Sequence, residues 1–373
     1  MSWKKTAISY LIWLVYTIMT GTALLALGVR VCRAAGMKDY LGILAAAAYV
    51  AIAGGIAFLL HRHVAGHIRF VEEKRAHLTV LGVLAALALL VVGFVLRLQG
   101  IACMEHSSSA YYEAAKVAEG QGVPQSVQGA VYFYVQVLHV VFLLLGNHAS
   151  AGVWVQIVLQ LAASFLLFLV MRKLAGLASA LVALGFSMCA PYMVQSSLSL
   201  SPEMLFFFLG MAAMWLMTAG YGRGGSCQDH VPELNPIVCL FTGILAALCC
   251  YLDVSGILLL LVALGSVFCV REKAVDTGQR ALAALLCVAG GLLGFGGCIL
   301  LDACLSGKTV LGVAGAWISL YRPEGFRLPV VADMTGSVTE CCLLFGSMAF
   351  GIFSFWFDRE RERMSFAVAG GCG

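Results

Sequence analysis

Charge is scarce in this sequence. Only 11% of its 373 residues are Asp, Glu, Lys or Arg, whereas 61% are hydrophobic. A water-soluble domain carries roughly 25% charged residues, so a solvated surface of ordinary extent is excluded. The fourteen cysteines form no Cys-x-x-Cys pair, and many lie inside apolar runs. That placement argues against a zinc or disulfide framework and for small buried hydrophobes. No basic run interleaved with aromatics points to nucleic acid, and no repeat, low-complexity tract or soluble domain interrupts the chain. The apolar stretches also lack the alternation of barrel strands.

What the sequence does have is long runs free of charge, among them Leu41–Leu60, Ala76–Leu96, Gly120–Met171 and Ala281–Leu301. About 20 apolar residues cross the hydrocarbon as a helix, and in lipid only helices or closed barrels satisfy their backbone groups. The expected fold is therefore all-α, a polytopic transmembrane bundle. The first apolar stretch, Thr6–Gly28, exceeds the 7–15 residue core of a signal peptide and reads as a retained span.

Loop charge chooses the topology, because Lys and Arg gather on the cytoplasmic side. The decisive segment is Gly129–Gly146, GAVYFYVQVLHVVFLLLG. If it crosses the membrane, most of the 23 Lys and Arg residues fall outside. If it lies along the outer interface as an amphipathic helix, most fall inside, with Lys4 and Lys5 cytoplasmic. The second arrangement is adopted. It predicts a multi-pass plasma-membrane protein with about ten spans near 6–29, 41–60, 78–97, 151–171, 175–193, 204–220, 235–252, 254–270, 281–301 and 337–357. The outside loops are then 30–40, 98–150, 194–203, a tight turn at Asp253, and 302–336. Residues 1–75 form a two-span hairpin with a basic cytoplasmic loop, and 76–373 the transmembrane core. The closing segment after Asp358-Arg-Glu-Arg-Glu-Arg363 reads as a further span cut short.

Ionisable groups in or near the membrane are functional candidates, since burying them is costly. Three outside acids stand out. Glu105 lies in Cys103-Met-Glu-His-Ser-Ser-Ser-Ala-Tyr-Tyr-Glu113. Glu203 follows Pro202 at the start of a span, where an acid also complements the helix dipole. Asp253 interrupts two apolar runs, where it could equally cap the following helix. Tyr111 to Glu119 reads as a short amphipathic helix that the serines 107–109 can cap. It is either a surface helix packed on the membrane or a tyrosine face for a sugar ring, with Glu113 beside it. His61, His63 and His67 have metal-like spacing but lack further ligands, and no metal site is assigned. The glycines of Gly290–Gly297 fit close helix packing.

The order of these features resembles the GT-C membrane glycosyltransferases, in particular the protein O-mannosyltransferase and aminoarabinose transferase branch. An outside loop carries an acid and Tyr111-Tyr112-x-x-Ala115. An interfacial helix and Leu144-Leu-Gly-Asn147 follow, then Met171-Arg-Lys-Leu-Ala-Gly176, Ala190-Pro-Tyr192 and Ser199-x-Ser-Pro-Glu203. The similarity covers about residues 78–300. It departs from the family pattern at Ser107 and Ser108, where the family places its acid. The resemblance implies transfer of a sugar from a polyprenyl-phosphate donor to a glycan, lipid or protein acceptor on the extracytoplasmic face. Glu105 is then the general base, with Glu203 and Asp253 as supporting acids. Tyr111, Tyr112 and Glu113 contact the sugar, while Arg97, Lys116, Arg322 and Arg327 hold the phosphate. A divalent cation is the one cofactor such chemistry could add. Two rival functions remain open: a transporter or flippase for a lipid-linked sugar, and a catalytically inactive, binding-only relative.

Overall fold

The computed structural model describes residues 38–60, 76–103, 130–175, 177–220, 235–269 and 277–320, together with Tyr111, Tyr112, Ala115 and scattered positions between 14 and 36. Every regular element among them is helical. The helices are α1 (Asp39–Leu60), α2 (Ala76–Cys103), α3 (Ala130–Leu145), α4 (Ala149–Ala175), α5 (Leu177–Cys189), α6 (Pro191–Leu198), α7 (Glu203–Gly220), α8 (Pro236–Leu252), α9 (Gly256–Cys269), α10 (Thr277–Ser306) and α11 (Val310–Leu320). Among the described residues, three segments are long and apolar enough to cross a membrane: Val80–Ile101, Ala149–Lys173 and Thr277–Ser306. A fourth is obtained if the bent pair α5 and α6 counts as one span. The expected spans 6–29 and 337–357 and the histidines 61, 63 and 67 fall outside the continuously described residues.

The chain divides into two compact units. One comprises residues 1–82, 174–178 and 326–372, and holds the close approach of Gly28 to Gly42, where a Cβ on either would overlap the other's backbone. The second comprises residues 83–173 and 179–325.

Its helices are built inside out relative to a soluble bundle. Leu144, Val182, Leu292 and Leu311 are more than 70% exposed, whereas Arg97, Gln156, Gln160, Ser164, Ser187 and Ser197 are all at most 1% exposed. Apolar exteriors are what lipid-facing helices present, and polar groups turned inward are what membrane bundles use to join helices. Helix α8 is the hub, packing on α7, α9, α10 and α3. Its seam with α10 is made by glycines: a Cβ on Gly243 would overlap the Cys287 carbonyl, and one on Gly290 the Leu240 carbonyl. Within the glycine-rich run, Gly290 and Gly294 thus pack closely on α8, whereas a Cβ at Gly296 or Gly297 would meet no atom within 4 Å.

Two expectations need correction. Residues 175–193 do not form one straight helix, since α5 ends at Cys189 and α6 restarts at Pro191 with a 52° bend. Pro191 has no N–H to donate, so the helical ladder must break there. The expected loop 194–203 is consequently helical as far as Leu198. Likewise, α10 runs on to Ser306 and α11 occupies Val310–Leu320, so the first half of the expected loop 302–336 is helical. Gly307, at φ +65°, makes the turn between them.

Candidate functional site

The break at Pro191 leaves carbonyls of the preceding turn without helical donors, and α4 and α2 supply replacements. Gln160 donates from Nε2 to the Ser187 carbonyl at 3.1 Å. The Arg97 guanidinium donates from Nη1 to the Met188 carbonyl at 3.0 Å and to Gly93 O at 2.7 Å. Its Nε donates to Ser197 Oγ on α6 at 3.0 Å and to Gln160 Oε1 at 3.3 Å. Arg97 therefore ties α2 to α4 and to both arms of the broken helix. It is completely buried. The sequence suggested an arginine facing a phosphate; instead it lies inside the unit with Nε and Nη1 engaged, because the broken helix offers acceptors there.

The polar residues of α4 lie one turn apart at Gln156, Gln160 and Ser164, all on one face. Ser164 Oγ meets Ser187 Oγ at 2.6 Å. Sequence reading overlooked this stripe, although Gln-x-x-x-Gln-x-x-x-Ser within an otherwise apolar span is a signal legible at helical spacing.

At the end of the stripe, Gln156 meets the segment that leads into α7. Its Nε2 donates to the Ser201 carbonyl at 2.7 Å and to the Tyr134 hydroxyl on α3. Tyr134 stacks edge to face with Tyr111 at 5.6 Å between centroids, and Tyr112 makes the same kind of contact with Phe142. Ala115, Leu138, Ile157, Leu200 and Leu252 complete this core. His139, on α3, contacts Ala115, with its Nδ1 2.9 Å from the Ala115 carbonyl.

Glu203 opens α7 beside this cluster and is exposed. Its Oε2 lies 3.5 Å from the Tyr192 hydroxyl. The carboxylate also acts electrostatically on Tyr111 and Tyr134. Burial first, and the Glu203 charge second, push the Tyr111 phenol above its ordinary value. Phenols from three parts of the chain thus lie within the electrostatic reach of one carboxylate.

Asp253 sits in the turn between α8 and α9, where its Oδ1 accepts from Ser255 N at 2.7 Å. This is the capping geometry foreseen for it. On the other side of α8, the Tyr251 hydroxyl donates to Asp302 Oδ2 at 2.5 Å, and Trp317 Nε1 donates to the Tyr251 carbonyl at 3.2 Å. Phe133 contacts Tyr251 edge to face, so Phe133 and Tyr134, successive on α3, link the two polar clusters.

Of the expected site residues, Tyr111, Tyr112 and Glu203 come together around α3. Arg97 and Asp253 have the separate roles just given. Glu105, Glu113, Lys116, Arg322 and Arg327 lie outside the described residues. Among the described residues, no group of three or more His, Cys, Asp or Glu could hold a metal ion. Comparison with protein-family models, with curated proteins and with solved structures gives no match to this chain.

Proposed function

We propose that this chain is an integral membrane glycosyltransferase of about ten spans, with its N-terminus cytoplasmic, that transfers a sugar from a polyprenyl-phosphate donor to an acceptor on the extracytoplasmic face. The observation that carries it is the Glu203 carboxylate at the start of α7, which lies 3.5 Å from the Tyr192 hydroxyl and acts electrostatically on Tyr111 and Tyr134. Phenols give a sugar ring both an apolar face and hydrogen-bonding tips. A carboxylate within reach of an acceptor hydroxyl can orient it and accept its proton. Tyr111 follows Glu105 closely in sequence, which supports a base on the same stretch of chain as one of these phenols.

In the reaction, the acceptor oxygen attacks the anomeric carbon and the bond from that carbon to the phosphate oxygen breaks. The phosphate leaves with the electron pair and Glu105 takes the acceptor's proton. Glu203 orients the acceptor. Lys116, Arg322 and Arg327 are the bases left to meet the leaving phosphate, because Arg97 is committed to the broken helix. A divalent cation would fill the same role. Purified protein in lipid nanodiscs, supplied with radiolabelled polyprenyl-phosphate sugars and an acceptor mixture, should form labelled product. Glu203→Gln and Glu105→Gln should each lower the rate at least 100-fold. Wild-type protein that transfers no sugar from any such donor contradicts the proposal.

The 52° break between α5 and α6 favours a second reading, a transporter of a lipid-linked sugar, since transporters place substrates at discontinuous helices. Movement of a fluorescent lipid-linked sugar across proteoliposomes without chemical change would select it.

A further inference from the structure

Gln156 is 1% exposed, and its Oε1 has no hydrogen-bond partner among the described residues; the same is true of Ser201 Oγ. The orientation of the Gln156 amide is fixed by chemistry. The Ser201 carbonyl can only accept, so Nε2 must face it and Oε1 points elsewhere. The Tyr134 oxygen accepts from the same Nε2, which leaves its own proton free to donate. Around the 199–202 turn there are therefore one amide acceptor, one hydroxyl that can donate or accept, one phenol able to donate, and the Glu203 carboxylate. Leaving a buried amide oxygen without a donor costs about 1–3 kcal/mol.

We propose that Gln156 Oε1 and Ser201 Oγ form a subsite for the hydroxyls of an uncharged, polyhydroxylated ligand. That the ligand is the sugar of the donor, and not a free polyol, rests on the glycosyltransferase reading above. The acceptor excess decides the chemical class. A phosphate brings only acceptors and a negative charge, so Glu203 repels it and Gln156 Oε1 gains nothing from it. A sugar hydroxyl donates to Gln156 Oε1 and accepts from Ser201 Oγ or Tyr134. Both unpartnered atoms are shielded from solvent, so a ligand reaches them only as neighbouring side chains move aside. Gln156 and Ser201 thus distinguish a sugar-bearing lipid from the bare lipid phosphate.

The test uses full-length protein in nanodiscs, titrated with a polyprenyl-phosphate hexose, with bare polyprenyl phosphate, and with a soluble methyl hexoside. Ser201→Ala removes an unpartnered hydroxyl, so the melting temperature is expected to hold or rise; a fall shows that the hydroxyl already has a protein partner and overturns the proposal. Ser201→Ala and Gln156→Met should each weaken binding of the hexose-bearing lipid about 10-fold, as expected for one lost hydrogen bond, with bare lipid phosphate unaffected. Equal affinity of the wild type for both lipids, unchanged in the variants, overturns the subsite while leaving a polyprenyl-phosphate protein. If neither lipid binds, the glycosyltransferase reading fails and the methyl hexoside decides. Binding weakened by Ser201→Ala retains a polyol site. Absent or insensitive binding, as expected if water alone satisfies these atoms, overturns it.

Discussion

The Arg97 guanidinium donates to the Met188 carbonyl at 3.0 Å, one of the acceptors set free where Pro191 interrupts the helix. A long cationic side chain thus acts as the missing donor for a broken helix, and does so while wholly buried. Arg97→Met orphans the Met188 carbonyl and Gln160 Oε1. At about 1–3 kcal/mol for each stranded acceptor, the variant should lose about 2–6 kcal/mol of stability. Chemical denaturation in detergent checks this, and an unchanged midpoint would show that the guanidinium holds nothing.

The glycines of α10 should divide by position. A Cβ at Gly290 is driven into the Leu240 carbonyl, whereas one at Gly297 meets no atom within 4 Å. Gly290→Ala should therefore cost about 1–3 kcal/mol through overpacking. Gly297→Ala should be neutral or stabilising by up to about 1 kcal/mol through helix propensity. Thermal unfolding of the two variants side by side tests the seam.

The pair Tyr251 and Asp302 invites a double-mutant cycle. Tyr251→Phe removes the only hydroxyl bonded to Asp302 Oδ2 among the described residues, and Oδ1 is already unpartnered there. A loss of about 1–3 kcal/mol is expected. Combining it with Asp302→Leu should recover most of that loss, since replacing both partners of a buried bond is far milder than stranding one. Additive losses would mean the two side chains are uncoupled.

Tyr111 carries the pH dependence. Burial and Glu203 raise its phenol above the ordinary value of about 10. The unfolded chain then ionises first, so the contribution of Tyr111 to stability is intact below that value and is lost as pH rises through it. Phenolate absorbance should show late-titrating tyrosines, one fewer of them in Tyr111→Phe. Glu203→Gln should move the Tyr111 titration down. A titration unmoved by Glu203→Gln would place Glu203 elsewhere, and a normal one would contradict the burial of Tyr111.

Much of the helical framework was legible in the sequence because a charge-free run of span length has few other fates. The expected segment 235–252 coincides closely with α8, and 129–146 with α3. Capping by Asp253 was equally legible, as Asp two residues before Ser255 and three before Gly256 is a local device. The bend at Pro191 was visible as a residue type but not as a broken span, because its acceptors are satisfied from distant helices by Arg97 and Gln160. Long-range partners of that kind leave no local signature. The roles of Gln156 and Ser201 were hidden for the same reason, and the spacing Gln156, Gln160, Ser164 was the one clue overlooked.

Sugar transfer at Glu203 requires that end of the bundle to face the cell exterior. Ser199, in the turn before α7, and Arg172, at the far end of α4, are both exposed. Single cysteines at each position, in a background with exposed Cys189 and Cys304 replaced, can be probed on intact cells with a membrane-impermeant maleimide. Labelling at position 199, with position 172 protected until the cells are opened, is the predicted result. Labelling at 172 with 199 protected would contradict the account.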